Sequence, residues 1–124
     1  MKVLLVDDIR VMEAAGGDEV TVARTAAEGL KLLQEQSWDL LLLDHDLGDS
    51  GDIRPLVRFL EERAFLGPKV PIGMVVVVSS NPPGASWVAR GLERHYQLAL
   101  RPAGPSIRVE SLGLPRFKLD RSDG

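Results

Sequence analysis

Asp44, His45 and Asp46 follow directly on four leucines, Leu40 to Leu43, and lead into Leu47-Gly48. Four consecutive leucines read as a strand buried on both faces. Three ionisable groups at the tip of such a strand are costly to desolvate alone, so partners or a cation are implied. A second acidic pair, Asp7-Asp8, closes another apolar run, Lys2 to Val6. In a parallel sheet both clusters fall at the carboxyl ends of neighbouring strands, where α/β folds place their ligands. Carboxylates from Asp7, Asp8 and Asp44 repel one another there unless a cation sits between them. Their hard oxygen donors favour Mg²⁺, or Mn²⁺ in its place.

Arg10 stands two residues beyond the acidic pair. It can neutralise the pair through a salt bridge within its own loop, or clamp a phosphate bidentately. His45 has the ring chemistry of a general acid or base. Strand alternation turns it away from the side that Asp44 faces, and its other reading is a ring that orients the loop. Asn81 precedes Pro82-Pro83 and fits an N-cap as readily as a site. Trp38 and Trp87 read as packing residues, and His95 as a cation at a helix end.

These groups need a scaffold to hold them. Residues 2–6 read as a buried strand, 8–19 as a loop with at most two turns, and 20–23 as a short strand. Thr25-Ala26-Ala27-Glu28 is a capping box in which Glu28 is placed to reach the Thr25 amide. The helix it opens carries Ala26, Ala27, Leu30, Leu33 and Gln34 on its inner face. The leucine strand comes next, then a Gly48 to Gly51 loop, then a helix over 53–65 capped by Asp52, with Pro55 in its first turn. Residues 72–78 are a strand, Pro82 to about Tyr96 a helix, and 97–100 a last strand. Parallel strands joined by helices make a doubly wound α/β sheet. The reading is one α/β domain over 1–102 and a C-terminal extension over 103–124 with little pattern.

Composition narrows the chemistry further. With 124 residues the chain has enough length for a core without staples. It has no cysteine, which excludes disulfides, zinc–thiolate sites and cysteine nucleophiles. A net charge of −3 gives no reason to expect tight binding to DNA, although local arginines can hold a nucleotide or an RNA end. The first apolar run is too short for a signal peptide, and none approaches the roughly 20 residues of a membrane span. The expectation is a cytoplasmic protein with no membrane partner; its oligomeric state stays open.

Three features together resemble the receiver domain of response regulators: Asp7-Asp8 after the first strand, Asp44 after the third, and a hydroxyl, Ser79 or Ser80, closing the fourth. The likeness covers residues 1–102 and implies a flavodoxin-like fold with a five-stranded parallel sheet. Here the first helix would be shortened or replaced by a loop. It also implies that the acids hold Mg²⁺ and that Asp44 is the phosphoryl acceptor. By the same likeness the Asp46 backbone carbonyl meets the metal, the Ser79 hydroxyl meets a phosphoryl oxygen, and a cation after the fifth strand neutralises charge. That last position holds Arg101 where receivers have lysine, so Arg101 reads either as this clamp or as a surface charge.

The chain is closer still to the cyclic-phosphate-processing branch of receivers. Asp7-Asp8-Ile9-Arg10 matches its Asp-Asp-x-Arg element, and Leu43 to Gly48 matches Leu-Asp-His-Asp-Leu-Gly without a change. Val78-Ser79-Ser80-Asn81-Pro82 keeps the serine, asparagine and proline of a third element but has valine in place of histidine. This resemblance implies metal-dependent hydrolysis or phosphotransfer on cyclic phosphates of nucleotides or RNA ends, with His45 or Asp46 handling protons. The competing expectations are a phosphoacceptor receiver in signalling and an inactive binding module.

Overall fold

The computed structural model describes residues 1–124 apart from 79, 103, 116 and 118–124, together with the backbone but not the side chain of Ser50. The elements in order are β1 (Lys2–Val6), β2 (Val11–Glu13), β3 (Glu19–Ala23), α1 (Ala26–Glu35), β4 (Trp38–Leu43), α2 (Arg54–Leu66), β5 (Ile72–Val77), α3 (Pro82–Leu92), β6 (Leu98–Leu100) and β7 (Ser106–Arg108). Short 3₁₀ turns occupy Gly48–Ser50 and Val109–Leu112.

Five strands form one parallel sheet in the order β3-β1-β4-β5-β6. With β2 and β7 set aside, this is the flavodoxin-like order, and β1 and β4 lie side by side as the acid-bearing strands must. No helix stands between β1 and β3; the expected loop contains only β2. The order β3-β1-β4 reverses direction at β1, which opens the crevice beyond the carboxyl ends of β1 and β4.

The leucine strand shows why a continuous apolar run was needed. Leu41 and Leu43 face one core with Leu33 of α1, Leu56, Val57 and Leu60 of α2, and Val88 and Leu92 of α3. Leu40 and Leu42 face a second core with Val3, Leu5, Met74 and Val76. All four leucines are fully buried. Burying one such side chain is worth about 1.5–3 kcal/mol.

The three α-helices share one face, while among the described residues the second core is covered by β2, β7 and the 3₁₀ turn that follows β7. Ile107 and Leu112 are buried there, and Met12, Val109, Leu114 and Phe117 pack against it. β2 pairs with β7 in parallel, Met12 opposite Ile107, and Val11 N–H donates to the Pro105 carbonyl at 2.9 Å. Segments with little sequence pattern thus do the work of a helix layer. Three residues of β2 and three of β7 have no periodicity of their own to read.

Local details differ from the sequence reading in places. Thr25 caps α1 by accepting from Glu28 N–H at 3.1 Å, but the Glu28 carboxylate reaches the Arg24 amide instead of that of Thr25. The buried stripe of α1 runs through Gly29 and Leu33, with Ala27 and Gln34 exposed. Gly29 lies against its neighbours so closely that a Cβ would meet Leu56 Cδ1 at 2.8 Å and Val6 Cγ2 at 2.9 Å. α2 begins at Arg54 behind Ile53, which makes no side-chain cap bond. Asp52 serves the helix start from one residue earlier, accepting from the amide and the guanidinium of Arg54, each at 3.0 Å. α3 stops at Leu92, and Tyr96 follows in a turn, buried with its hydroxyl on the Val70 carbonyl at 2.7 Å. Among the described residues no helix is long and apolar enough to cross a membrane.

Candidate functional site

The register Val6 opposite Leu43 sets the two acidic tips next to each other. Asp44 N–H donates to the Val6 carbonyl and Asp7 N–H to that of Ala23, so both backbones continue the ladder just past the strands. One ligand oxygen from each of Asp7, Asp8 and Asp44 lies within 4.8 Å of the others. Asp7 is fully buried and Asp44 only 6% exposed, so this is a desolvated acidic cluster.

Asp7 is the most constrained member. Its Oδ1 accepts from the amides of Ile9 and Arg10, each at 3.0 Å, which folds the loop after β1 into a tight turn. Its Oδ2 accepts from Arg10 Nη1 at 2.8 Å, and the same Nη1 lies 3.3 Å from Asp44 Oδ2. Arg10 is therefore brought into the cluster as a bridge between two strands. Asp8 is half-buried and lies against Gly48, where a Cβ would stand 2.6 Å from its Oδ2. Gly48 also has φ +63°, so glycine is required there by both backbone and space.

His45 points elsewhere, as strand alternation requires. Its Nδ1 is 2.9 Å from Asp46 Oδ1, and its ring meets Trp87 edge-on with centroids 6.4 Å apart. It rests on Gly84 in the first turn of α3. Asp46 in turn accepts from Asn81 Nδ2 at 3.1 Å, while Asn81 Oδ1 accepts from Gly84 N–H at 3.1 Å. Asn81 thus caps α3 and holds Asp46 at once. Neither His45 nor Asp46 belongs to the carboxylate cluster. They form a hydrogen-bonded rim in which the contact from His45 holds the Asp46 carboxyl below the ordinary carboxylate range. Asp52, in antiparallel bridge with Asp46, is held low likewise, by its bond from Arg54.

Arg101 is placed at the tail. Its Nε donates to the Leu112 carbonyl at 2.6 Å, Nη2 to Gly113 at 3.1 Å and Nη1 to Leu100 at 2.9 Å. These bonds anchor residues 112–113, a contact that neither sequence reading of Arg101, charge clamp or surface charge, included. Ser79 lies outside the described residues. Val78, where the histidine was expected, is buried in the second core beneath the tail.

Sequence reasoning missed Arg24. From the end of β3 its Nη1 donates to the carbonyls of Asp7 at 3.2 Å and Arg10 at 2.6 Å, pinning the acidic loop. An arginine closing the strand next to β1 was the available signal. Gly84, which makes room for His45, carried none in the sequence beyond its place after Pro82-Pro83.

A family model described as "Cyclic-phosphate processing Receiver domain" matches residues 2–94. Among solved structures, a response regulator protein from Burkholderia pseudomallei, with a phosphorylated aspartic acid, calcium ion and citrate, aligns with a TM-score of 0.51 at 18% identity. That alignment covers 89% of this chain and 62% of the other, so this chain spans under two thirds of that protein's length. A CheY-like response regulator receiver domain protein from Methanospirillum hungatei JF-1 is 23% identical, with a TM-score of 0.49 over 84% of this chain and 83% of that one. No curated protein matches in sequence. The fold is that of a receiver, and with the match running through both acidic strands and the histidine loop, the chain belongs to the cyclic-phosphate processing receiver domain family.

Proposed function

We propose that the Asp7, Asp8 and Asp44 cluster holds a divalent cation, Mg²⁺ or Mn²⁺, and processes cyclic phosphates on small nucleotides or RNA ends. The observation that carries the reading is the convergence of three carboxylates, two of them buried, within 4.8 Å. The donors fit the group: all are hard oxygens, and one guanidinium leaves the cluster short of positive charge. A bound ion would polarise a phosphoryl oxygen and lower the pKa of an attacking water.

The chain's own residues supply the rest. Arg10 carries a planar donor fork suited to phosphate oxygens. The amide turn after β1 and the Arg24 bonds keep Asp7 and Arg10 in place. Asp46, 56% exposed at its side chain, stands on the rim as a carboxylate at neutral pH and acts as a proton acceptor. His45 and Asn81 orient it, so His45 is a positioning residue. A net charge of −3 favours small phosphates and RNA ends over duplex DNA.

The test is incubation with Mg²⁺ or Mn²⁺ and a panel of 2′,3′-cyclic nucleotides and cyclic-phosphate RNA ends. Turnover that disappears in Asp44→Ala supports the proposal, and absence of turnover across the panel defeats it. A second reading, phosphorylation of Asp44 in signalling, is favoured by the strand-end position of Asp44 and by the phosphorylated aspartic acid of the Burkholderia pseudomallei protein. Labelling of Asp44 by acetyl phosphate without turnover would support that reading. Neither labelling nor turnover would leave a binding module.

A further inference from the structure

We propose that Arg10 is a built-in counter-cation of the carboxylate cluster. It competes with a divalent ion for Asp7 and Asp44, and the incoming ion frees it for a phosphate. Cation and phosphate binding are thereby coupled through one side chain. The inference rests on the cation-site reading above but not on turnover of cyclic phosphates.

Arg10 sits on oxygens of the carboxylate cluster itself. Nη1 bridges Asp7 Oδ2 at 2.8 Å and Asp44 Oδ2 at 3.3 Å, both of them groups that a metal would use. With 12% of the Arg10 side chain exposed and Asp7 fully buried, solvent screens this contact little. A guanidinium and a divalent ion at one pair of oxygens repel each other strongly at such range.

The backbone is arranged so that only the side chain has to move. Arg10 N–H is tied to Asp7 Oδ1, its carbonyl is held by Arg24, and the next residue enters the ladder with β7. Asp7 keeps two amide donors on Oδ1 when the guanidinium leaves, so release does not strip the carboxylate of its hydrogen bonds. Asp8, the third acid, has no bond from Arg10, which leaves a cluster still attractive to a cation while Arg10 is seated. A released guanidinium, tethered within the same crevice, is a preformed donor for an anion.

The test uses the full chain and Mn²⁺ alone, with affinity read by calorimetry. Arg10→Gln should bind Mn²⁺ more tightly than the wild type, by roughly 5- to 150-fold, the usual span of site-to-site coupling. Arg10→Lys, which keeps the competing charge, should stay near the wild type. Inorganic phosphate supplies the reciprocal readout: Mn²⁺ should strengthen its binding more in the wild type than in Arg10→Gln. Should Arg10→Gln fail to fold, the wild-type Arg10 side-chain NMR signal gives the answer, since Mg²⁺ must shift it. Equal or weaker Mn²⁺ binding in Arg10→Gln, or an Arg10 signal indifferent to Mg²⁺, overturns the inference. Absence of metal binding in both proteins overturns it together with the cation site. Tighter binding in the variant without cyclic-phosphate turnover supports the inference and defeats only the proposed reaction.

Discussion

The imidazole of His45 lies directly on the backbone of Gly84: a Cβ added there would stand 2.5 Å from the ring's Cγ and 2.7 Å from Nδ1. In an ordinary helix Gly→Ala is favourable by up to about 1 kcal/mol. Here the ring forbids it, and Gly84→Ala should destabilise the protein by about 1–3 kcal/mol in urea titration. Combining it with His45→Ala should recover most of that loss. A Gly84→Ala protein as stable as the wild type would show that His45 does not rest there.

Asp7 and Asp44 should respond oppositely in scale to removal. Asp7→Ala strips two amides and the Arg10 guanidinium of a buried acceptor, a loss of about 3–5 kcal/mol for a buried ionic partner. Asp44→Asn gives up the longer, 3.3 Å contact to Arg10 but also removes one of the mutually repelling charges, and should cost less, under about 1 kcal/mol in metal-free buffer. Urea midpoints compare the two. A larger loss at Asp44 would mean that the acidic cluster is not strained by like charge.

Acid should loosen the rim through Asp46 and Asp52. Both carboxyls are held below their usual value of 3.8 in the fold, by bonds from His45 and from Arg54 respectively. A depressed folded pKa means that the contribution is complete above the unfolded value and is lost as pH falls through the folded one. The carboxyl carbon shift of Asp46 should therefore report a carboxyl titration whose midpoint lies below the ordinary value of 3.8. A midpoint above the ordinary carboxylate value would contradict the hydrogen bond.

The tail should open when Arg101 is shortened. Arg101→Met removes donors to the Leu112 and Gly113 carbonyls, and bonds to a charged donor contribute about 1.5–3 kcal/mol in all. Amide exchange should accelerate first over residues 105–113, with β4 protected as before. Uniform acceleration across the sheet would instead mean that the tail and the sheet open as one unit.

Much of the scaffold was legible because its elements are periodic. The leucine strand and the Thr25 cap each state a local preference that the fold keeps. β2 and β7 were not legible, since three residues each carry no period and gain structure only by pairing across most of the chain. The helix from Asn81 was read too long because Tyr96 continues its apolar spacing while its hydroxyl is taken by Val70. The tail contacts of Arg101 were not legible, because its partners lie in a segment without pattern.

By itself the sequence determined that Asp7, Asp8 and Asp44 end neighbouring buried strands, because apolar runs specify strands and strands in a parallel sheet end on one side. It also determined that His45 turns away from Asp44, through the two-residue period of a strand. Only the tertiary structure decided which cations serve which carboxylates. Arg10 reached the acids, Arg24 took the loop carbonyls and Arg101 went to the tail. Long flexible side chains have no fixed direction in sequence, and their partners are set by the surfaces that packing brings within reach.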